Sequence, residues 1–334
     1  MLRIVPVVEQ WCITTPTQDT RIEGDEDGMP DTFTIAHLSD VHLSPVRGFT
    51  PRHWNAKRAL GFVNWTTKRR HVHLREVADR IVTDIKRHAP DHIAVTGDLI
   101  NLGLPAEYDA ALHWLATVGT PADVSLVPGN HDIYTRLRSD PGVGRWQAYM
   151  TSDEWGRTVS GPAAAGFPYV RRAGPVAIIG LCSAVETAPG IATGRIGPEQ
   201  LAAAISILDR LAAEDVFRLV LLHHPPLPGQ TRPRHELTDV AAVSAALARS
   251  SANLVLHGHT HLPTRVALPR PGRPLHVIGV ASASAAIRKG HEPMAQYNLL
   301  RIRRDSKHWH VELLRRGLDG PSGQIAEFER VTLG

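Results

Sequence analysis

Residues 33–42 read Phe-Thr-Ile-Ala-His-Leu-Ser-Asp-Val-His, a short β-rich run that ends on a carboxylate and an imidazole two positions apart. The same construction recurs along the chain. His92–Thr96 runs into Gly97-Asp98, and Val124–Val127 leads to Gly129-Asn130-His131-Asp132. Val216–Leu222 runs into His223-His224-Pro225-Pro226, and Leu254–His257 into Gly258-His259-Thr260-His261. Groups able to hold a metal thus follow one apolar strand after another, where open α/β sheets place their ligand crevices. Val176–Leu181 and Leu275–Val280 add two more strands. Several of these runs are continuously apolar, as suits sheets covered on both faces.

Between the strands the apolar spacing changes to three and four, which predicts helices. One is marked by Leu74, Val77, Ala78, Ile81 and Ile85, and a second by Tyr108, Ala111, Leu112 and Leu115. Leu201–Leu211 and Val240–Leu247 mark two more. Near the end, Tyr297–Ile302 and Trp309–Leu314 predict an antiparallel hairpin. The simplest division is an irregular acidic segment over 1–31, an α/β domain over 32–316, and a Gly-containing tail over 317–334.

The residue types at the strand ends suit divalent metals. In extended backbone, residues two apart point to one side, which predicts that Asp40 and His42, and likewise His259 and His261, act as pairs. A carboxylate such as Asp98 can bridge two cations. Glycines 97, 129 and 258 allow sharp turns before the polar groups. Mixed imidazole, carboxylate and amide donors favour zinc, manganese or iron.

In order and approximate spacing, the blocks from Asp40 to His261 resemble those of the calcineurin-like metallophosphoesterase superfamily. The Ala-Ser-Ala-Ser stretch at 281–284 and the hairpin after it are similar to its bacterial members, and the ligand set, the length and the blocks at 223–226 and 258–261 resemble the bacterial class III cyclic-nucleotide and glycerophosphodiester phosphodiesterases. The resemblance implies an α/β four-layer sandwich of two mixed sheets flanked by helices, with a C-terminal hairpin. It implies two divalent ions (manganese, iron or zinc), one held by Asp40, His42 and His261 and the other by Asn130, His223 and His259, with Asp98 bridging. The family's His-x-Pro pattern favours His223, although His224 also precedes a proline by two. His131 resembles the histidine that faces the phosphoryl oxygens or the leaving group, with Asp132 orienting it. The implied reaction is in-line attack on phosphorus by a metal-bridging hydroxide, with the ions roughly 3.5–4 Å apart.

Composition limits the alternatives. No run of 18 apolar residues predicts a membrane-spanning helix, and the first residues make a poor secretory signal, so a cytoplasmic location is expected. Cys12 and Cys182 have no metal-binding spacing. The net charge of +4 is localised: Val41–Arg75 holds eight Lys or Arg and no acid, leaving 29 basic against 33 acidic side chains elsewhere. Two readings of the basic insert at 45–75 stay open. One is a solvated insertion. The other is an anion-facing or lipid-facing surface, because Phe49, Trp54, Phe62 and Trp65 interleave with the cations. A peripheral membrane contact fits that second reading, whereas nucleic acid does not suit an otherwise acidic chain. His71 and His73 lack a carboxylate partner in sequence and are expected at the surface.

For substrate, the sequence favours a small phosphodiester or nucleotide-type molecule. The alternative is a pyrophosphatase acting on a lipid-linked nucleotide such as UDP-2,3-diacylglucosamine. A non-catalytic scaffold fits least, because seven converging ligands are costly to desolvate without a purpose. The insert, the loop Tyr134–Pro168 and the segment Leu227–Glu236 are expected to rim the site.

Overall fold

Alternate side chains of the central strands face two different cores. Val176 and Ile178 point into one and Ala177 and Ile179 into the other; Leu219 and Leu221 alternate with Val220 and Leu222 in the same way. A strand apolar on both sides must be covered on both sides, so these residues dictate a layered structure. The computed structural model describes residues 32–135, 140–161, 166–306, 308–320 and 323–333. The acidic segment expected at 1–31, with Cys12, lies outside the described residues.

The first sheet contains β1 (Phe33–Leu38), β2 (His92–Val95), β3 (Val124–Leu126), β10 (Gln296–Arg304), β11 (Trp309–Asp319) and β12 (Gln324–Leu333), in the order β12-β11-β10-β1-β2-β3. The second contains β4 (Tyr169–Ala173), β5 (Val176–Gly180), β6 (Phe217–Leu221), β7 (Leu254–His257), β8 (Arg265–Leu268) and β9 (Leu275–Gly279), in the order β4-β5-β6-β7-β9-β8. Both are mixed: β1-β2-β3 and β5-β6-β7-β9 run parallel, and the outer pairings are antiparallel.

Among the described residues seven α-helices connect these strands: α1 (Ala56–Asn64), the single turn α2 (Arg70–Val72), α3 (Arg75–Arg87), α4 (Pro105–Val118), α5 (Glu154–Ser160), α6 (Pro198–Leu211) and α7 (Val240–Arg249). Ile81 and Ile85 of α3 and Trp114 and Leu115 of α4 join the core of the first sheet. Ile207 of α6 and Val243 and Leu247 of α7 cover the second. The two sheets share the inter-sheet core, where Ile35 and Leu299 meet Ile178, Leu219 and Leu256 in one apolar cluster. Among the described residues no helix is long and apolar enough to cross a membrane.

Two edge strands, β4 and β8, were not expected. β4 carries Arg171 and Arg172, and β8 alternates exposed with half-buried residues. Neither has an apolar run to announce it; pairing to β5 and β9 makes each a strand. The expected hairpin is β10–β11, but the tail boundary at 317 requires correction. β11 continues to Asp319, and β12 pairs with it from Asp319↔Gln324 to Val311↔Leu333. Polar and apolar residues alternate too weakly in β12 to be read alone. Its anchor is tertiary: Leu333 is buried and Glu329 accepts from Arg315 at 2.7 Å. Truncation after Asp319 should therefore lower the thermal midpoint by roughly 5 °C or more. A dispensable tail would leave the melting curve unchanged.

Candidate metal centre

The parallel strands of both sheets end at one place. Asp40 and His42 follow β1, Asp98 follows β2 and Asn130 follows β3; His223 follows β6, and His259 and His261 follow β7. The backbone there is unusual. Asp40, His42, Asp98, His259 and His261 all have φ between 44° and 69°. Left-handed backbone costs a non-glycine residue on the order of 1 kcal/mol and collects at functional sites. The Asp-x-His and His-x-His pairs therefore do not converge through the pleat of an extended strand, as their spacing suggested. They converge because the chain curls past the strand end. Hydrogen bonds between the loops hold that curl, with Asp40 N to Gly97 O at 2.9 Å and His42 N to Asp98 O at 2.9 Å. Ser282 Oγ donates to Asp40 O at 2.6 Å, which gives the Ala281–Ser284 stretch its structural work. Of the three glycines, Gly97 supplies a positive φ of 91°. Gly258 supplies space: a Cβ there would meet Ser39 Oγ at 2.0 Å and Asp40 Oδ2 at 2.7 Å.

Each histidine spends one ring nitrogen on an orienting partner and turns the other inward. His223 Nδ1 lies 2.6 Å from Thr96 O, and its Nε2 approaches Asn130 Oδ1 at 3.2 Å and Asp98 Oδ2 at 3.4 Å. His259 reverses the roles, with Nε2 at 2.8 Å from His235 O and Nδ1 at 2.9 Å from Asn130 Oδ1. His42 Nδ1 faces Ile100 O at 3.3 Å, and its Nε2 stands 3.3 Å from Nε2 of His261. His261 Nε2 is 3.3 Å from Asp40 Oδ1, with Glu292 Oε2 at 3.5 Å behind its Nδ1. This is the pattern in which outer partners fix a ring for metal ligation. His224 points elsewhere, with Nδ1 2.8 Å from Ser183 Oγ and Nε2 3.2 Å from Ala192 O.

The donor set fits cations. Asp40, His42 and His261 form a group whose ligand atoms lie within 4.8 Å of one another, as do Asp40, Asp98 and His223, and also His42, Asp98 and His131. Asp40 Oδ1 is buried without a hydrogen-bond partner at the centre of the first group. A buried carboxylate oxygen left bare costs free energy unless a cation faces it. Burial opposes ionisation of Asp98, but His223, through its charge and a hydrogen bond, holds its carboxyl well below the usual range. Burial likewise opposes charge on His223, but the Asp98 carboxylate raises it to about 9.

Two expectations need revision. Asp132 does not orient His131. Its carboxylate accepts from the backbone N–H groups of Asp98 at 2.8 Å, Leu99 at 2.9 Å, Ile100 at 3.3 Å and Gly129 at 2.8 Å. The nitrogen His131 Nδ1 instead lies 2.6 Å from Asn101 O. A carboxylate two bonds from its backbone reaches nearby N–H groups more readily than the neighbouring ring. His73 is also not a surface residue. It is buried, with its ring centroid 4.8 Å from that of His42 and its Nδ1 3.0 Å from Ser284 Oγ. His71 is exposed.

Above the ligands opens a cleft of about 460 Å³ whose rim carries Lys68, Arg69, Arg232 and Lys289 against Glu292, with Asp98 also in its lining. Such a rim favours anions. The insert and the 227–236 segment contribute to it as expected; the described residues of Tyr134–Pro168 give it none of its lining, and Ala192, Lys289 and Glu292 were missed. No local pattern marks Glu292, which lies 31 positions beyond His261 and meets it only in the fold. Within the insert, residues Trp65–Arg69 form a π turn, a form that recurs at functional sites. It ends on Arg69, whose Nη1 lies 3.3 Å from His131 Nδ1. Burial and the Arg69 cation push His131 down to about 3, so its ring is neutral at pH 7 in this geometry.

Residues 33–263 match the calcineurin-like phosphoesterase family. The chain belongs to that family. Its members are metal-binding hydrolases of phosphoric esters. A cAMP/cGMP dual specificity phosphodiesterase of Mycobacterium tuberculosis is 28% identical over 250 residues, 73% of this chain and 66% of that protein. A probable cyclic nucleotide phosphodiesterase of Synechococcus is 30% identical over 235 residues, 69% of this chain and 74% of that one. Among solved structures, a dimetal phosphatase from Danio rerio superposes with a TM-score of 0.59 at 16% identity, covering 91% of this chain and 99% of its own. At that identity the likeness concerns the fold alone.

As a phosphoesterase-family site, the centre depends on Asp132 for its shape. Asp132→Ala strips four buried N–H groups of their acceptor, so stability should fall by about 3 kcal/mol or more. Denaturant unfolding measures it. A role limited to steering His131 would leave the unfolding midpoint in place.

Proposed function

We propose that this chain is a two-metal-dependent phosphodiesterase acting on small phosphodiester or nucleotide-type substrates. The observation that carries the reading is the gathering of seven ligand-type side chains beneath a cationic cleft, with Asn130 Oδ1 within 3.2 Å of His223 and His259, and buried Asp40 Oδ1 facing His261 without a hydrogen bond. Asp40, His42 and His261 would hold one divalent ion, Asn130, His223 and His259 the other, with Asp98 shared. In support of sharing, Asp98 Oδ2 lies 3.9 Å from His42 Nε2 and 3.4 Å from His223 Nε2. When bound, such a pair of ions makes hydroxide available near neutral pH and offsets phosphoryl charge.

The chain's own groups supply the rest. In the tautomer that donates from Nδ1 to Asn101 O, His131 keeps Nε2 as an acceptor and brings no positive charge. Arg69 brings it instead. Among the described residues no carboxylate lies within 4 Å of its guanidinium, so its donors are available to phosphoryl oxygens beside His131. Within the insert Phe49 stacks on Phe62 at 4.8 Å and Phe62 meets Trp65 at 5.9 Å, while Trp54 is 54% exposed. Two relatives carry cyclic-nucleotide names and a third, 33% identical over 100 residues, is named a glycerophosphodiester phosphodiesterase, so both kinds of diester belong in the test.

Metal-stripped protein given manganese, zinc or iron should cleave bis(p-nitrophenyl) phosphate well above p-nitrophenyl phosphate. Preference for the monoester, or no cleavage of either with two metals bound, would overturn the reading. Asp98→Ala and Asn130→Ala should abolish that turnover, and in each the rise in thermal midpoint on adding metal should shrink. Arg69→Met should lower kcat/KM on the diester on the order of a hundredfold, with partial recovery in Arg69→Lys. Equal rates in Arg69→Met would remove Arg69 from the site.

A further inference from the structure

The metal cleft does not end at His131. Beyond it a second opening of about 440 Å³ continues between α1 and the loop around Ile191, sharing Arg69, His131, Asn130 and His235 with the cleft. Its character differs. Leu60 and Val63 of α1 stand on one side, 53% and 58% exposed, and Ile191 stands on the other at 36%. Scattered apolar residues on a surface need no explanation, but apolar residues lining a channel that opens from a reaction centre do.

The walls are tied together. Lys57 Nζ donates to Thr187 Oγ1 at 2.9 Å, joining α1 to the opposite loop, and Thr187 Oγ1 donates in turn to Ile191 O at 2.7 Å. Ala192 N donates to Arg234 O at 2.9 Å, anchoring the loop on its far side. The floor is Tyr134, whose ring stacks on His131 at 5.3 Å and 19° and whose hydroxyl donates to Lys57 O at 3.2 Å. Gly61 permits this: a Cβ there would stand 2.3 Å from the Tyr134 hydroxyl oxygen. A glycine inside a helix costs roughly 1 kcal/mol against alanine, and here it lets α1 lie directly on the ring.

We infer that this annex is the seat of an apolar substituent of the substrate, so that the preferred diester carries an aliphatic or aryl group on one phosphoester oxygen. An ester whose phosphorus sits over the ligands beside Arg69 would run that group along the His131–Tyr134 stack between Leu60, Val63 and Ile191. The inference deepens the phosphodiesterase reading and rests on it for the place of the phosphate. A polyol substituent would find partners in Asn64, Thr67 and Lys68 of the lining but would gain nothing from Leu60, Val63 and Ile191, which favour an apolar group.

The test is calorimetric binding of methyl, butyl and octyl phosphate and of glycerol 3-phosphate to manganese-loaded protein. Butyl phosphate should bind on the order of tenfold more tightly than methyl phosphate, as three half-buried methylenes would give. It should also bind more tightly than glycerol 3-phosphate. In the double variant Leu60→Ser, Val63→Ser, on exposed helix positions, the methyl-to-butyl ratio of Kd should fall towards one. A ratio near one in the unmodified protein, an unchanged ratio in the double variant, equal binding of glycerol 3-phosphate and butyl phosphate, or binding of none of them would each overturn the annex. The readout is separate from turnover: failure of diester hydrolysis strikes the phosphodiesterase reading, whereas a flat chain-length series strikes the annex alone.

Discussion

Two carboxylates, Asp40 and Asp98, are buried where the two sheets meet, and the rest of the structure is arranged around that fact. Charge taken out of water is costly unless cations or hydrogen-bond donors surround it. Here donors arrive from both sheets: His259 N donates to Asp40 Oδ2 at 3.0 Å and His131 N to Asp98 Oδ1 at 2.7 Å. Reaching those oxygens forces the chain into left-handed backbone at five ligand-type residues. Strain of that kind persists when the surroundings over-determine it. The surroundings are the parallel strands, which stop together, and the buried Asp132 carboxylate, which gathers the N–H groups of two loops.

The same constraint explains why two sheets are needed. A single sheet could present Asp40, Asp98 and Asn130, since β1, β2 and β3 are neighbours. The imidazoles of His223, His259 and His261 come from β6 and β7 of the other sheet. The His223 Nδ1 contact to Thr96 O crosses between the sheets at 2.6 Å. The inter-sheet core of Ile35, Leu38, Leu219 and Leu256 sets that distance, and close-packed cores leave little room for it to vary.

The basic insert is a second construction on this frame. Its aromatic residues do not face solvent as a group. Phe49 and Phe62 pack with Leu102, Leu104 and Tyr134 in a small apolar cluster. Buried Arg58 donates to Leu102 O at 3.1 Å and Gly103 O at 2.6 Å, fastening α1 to the loop that follows Asp98. Ordered in this way, the insert can hold Arg69 in the cleft and present Leu60 and Val63 beside it.

Much of this was legible in the chain itself. Strands β1 and β7 were read with their observed bounds, because each is a compact apolar run stopped by a polar block. Helices α3, α4, α6 and α7 were legible for the same reason: one buried face repeats every three to four residues. The seven ligand-type residues could be picked out because each stands directly after a strand. What the sequence alone could not decide depends on contacts between distant segments. β4, β8 and β12 are strands because a neighbour pairs with them. His73 and Glu292 join the centre across 188 and 31 positions from His261, and Asp132 turns from His131 to four backbone groups. Local patterns report burial, since burial has a period; they carry no record of which remote partner completes a hydrogen bond, and that is what the tertiary structure decided.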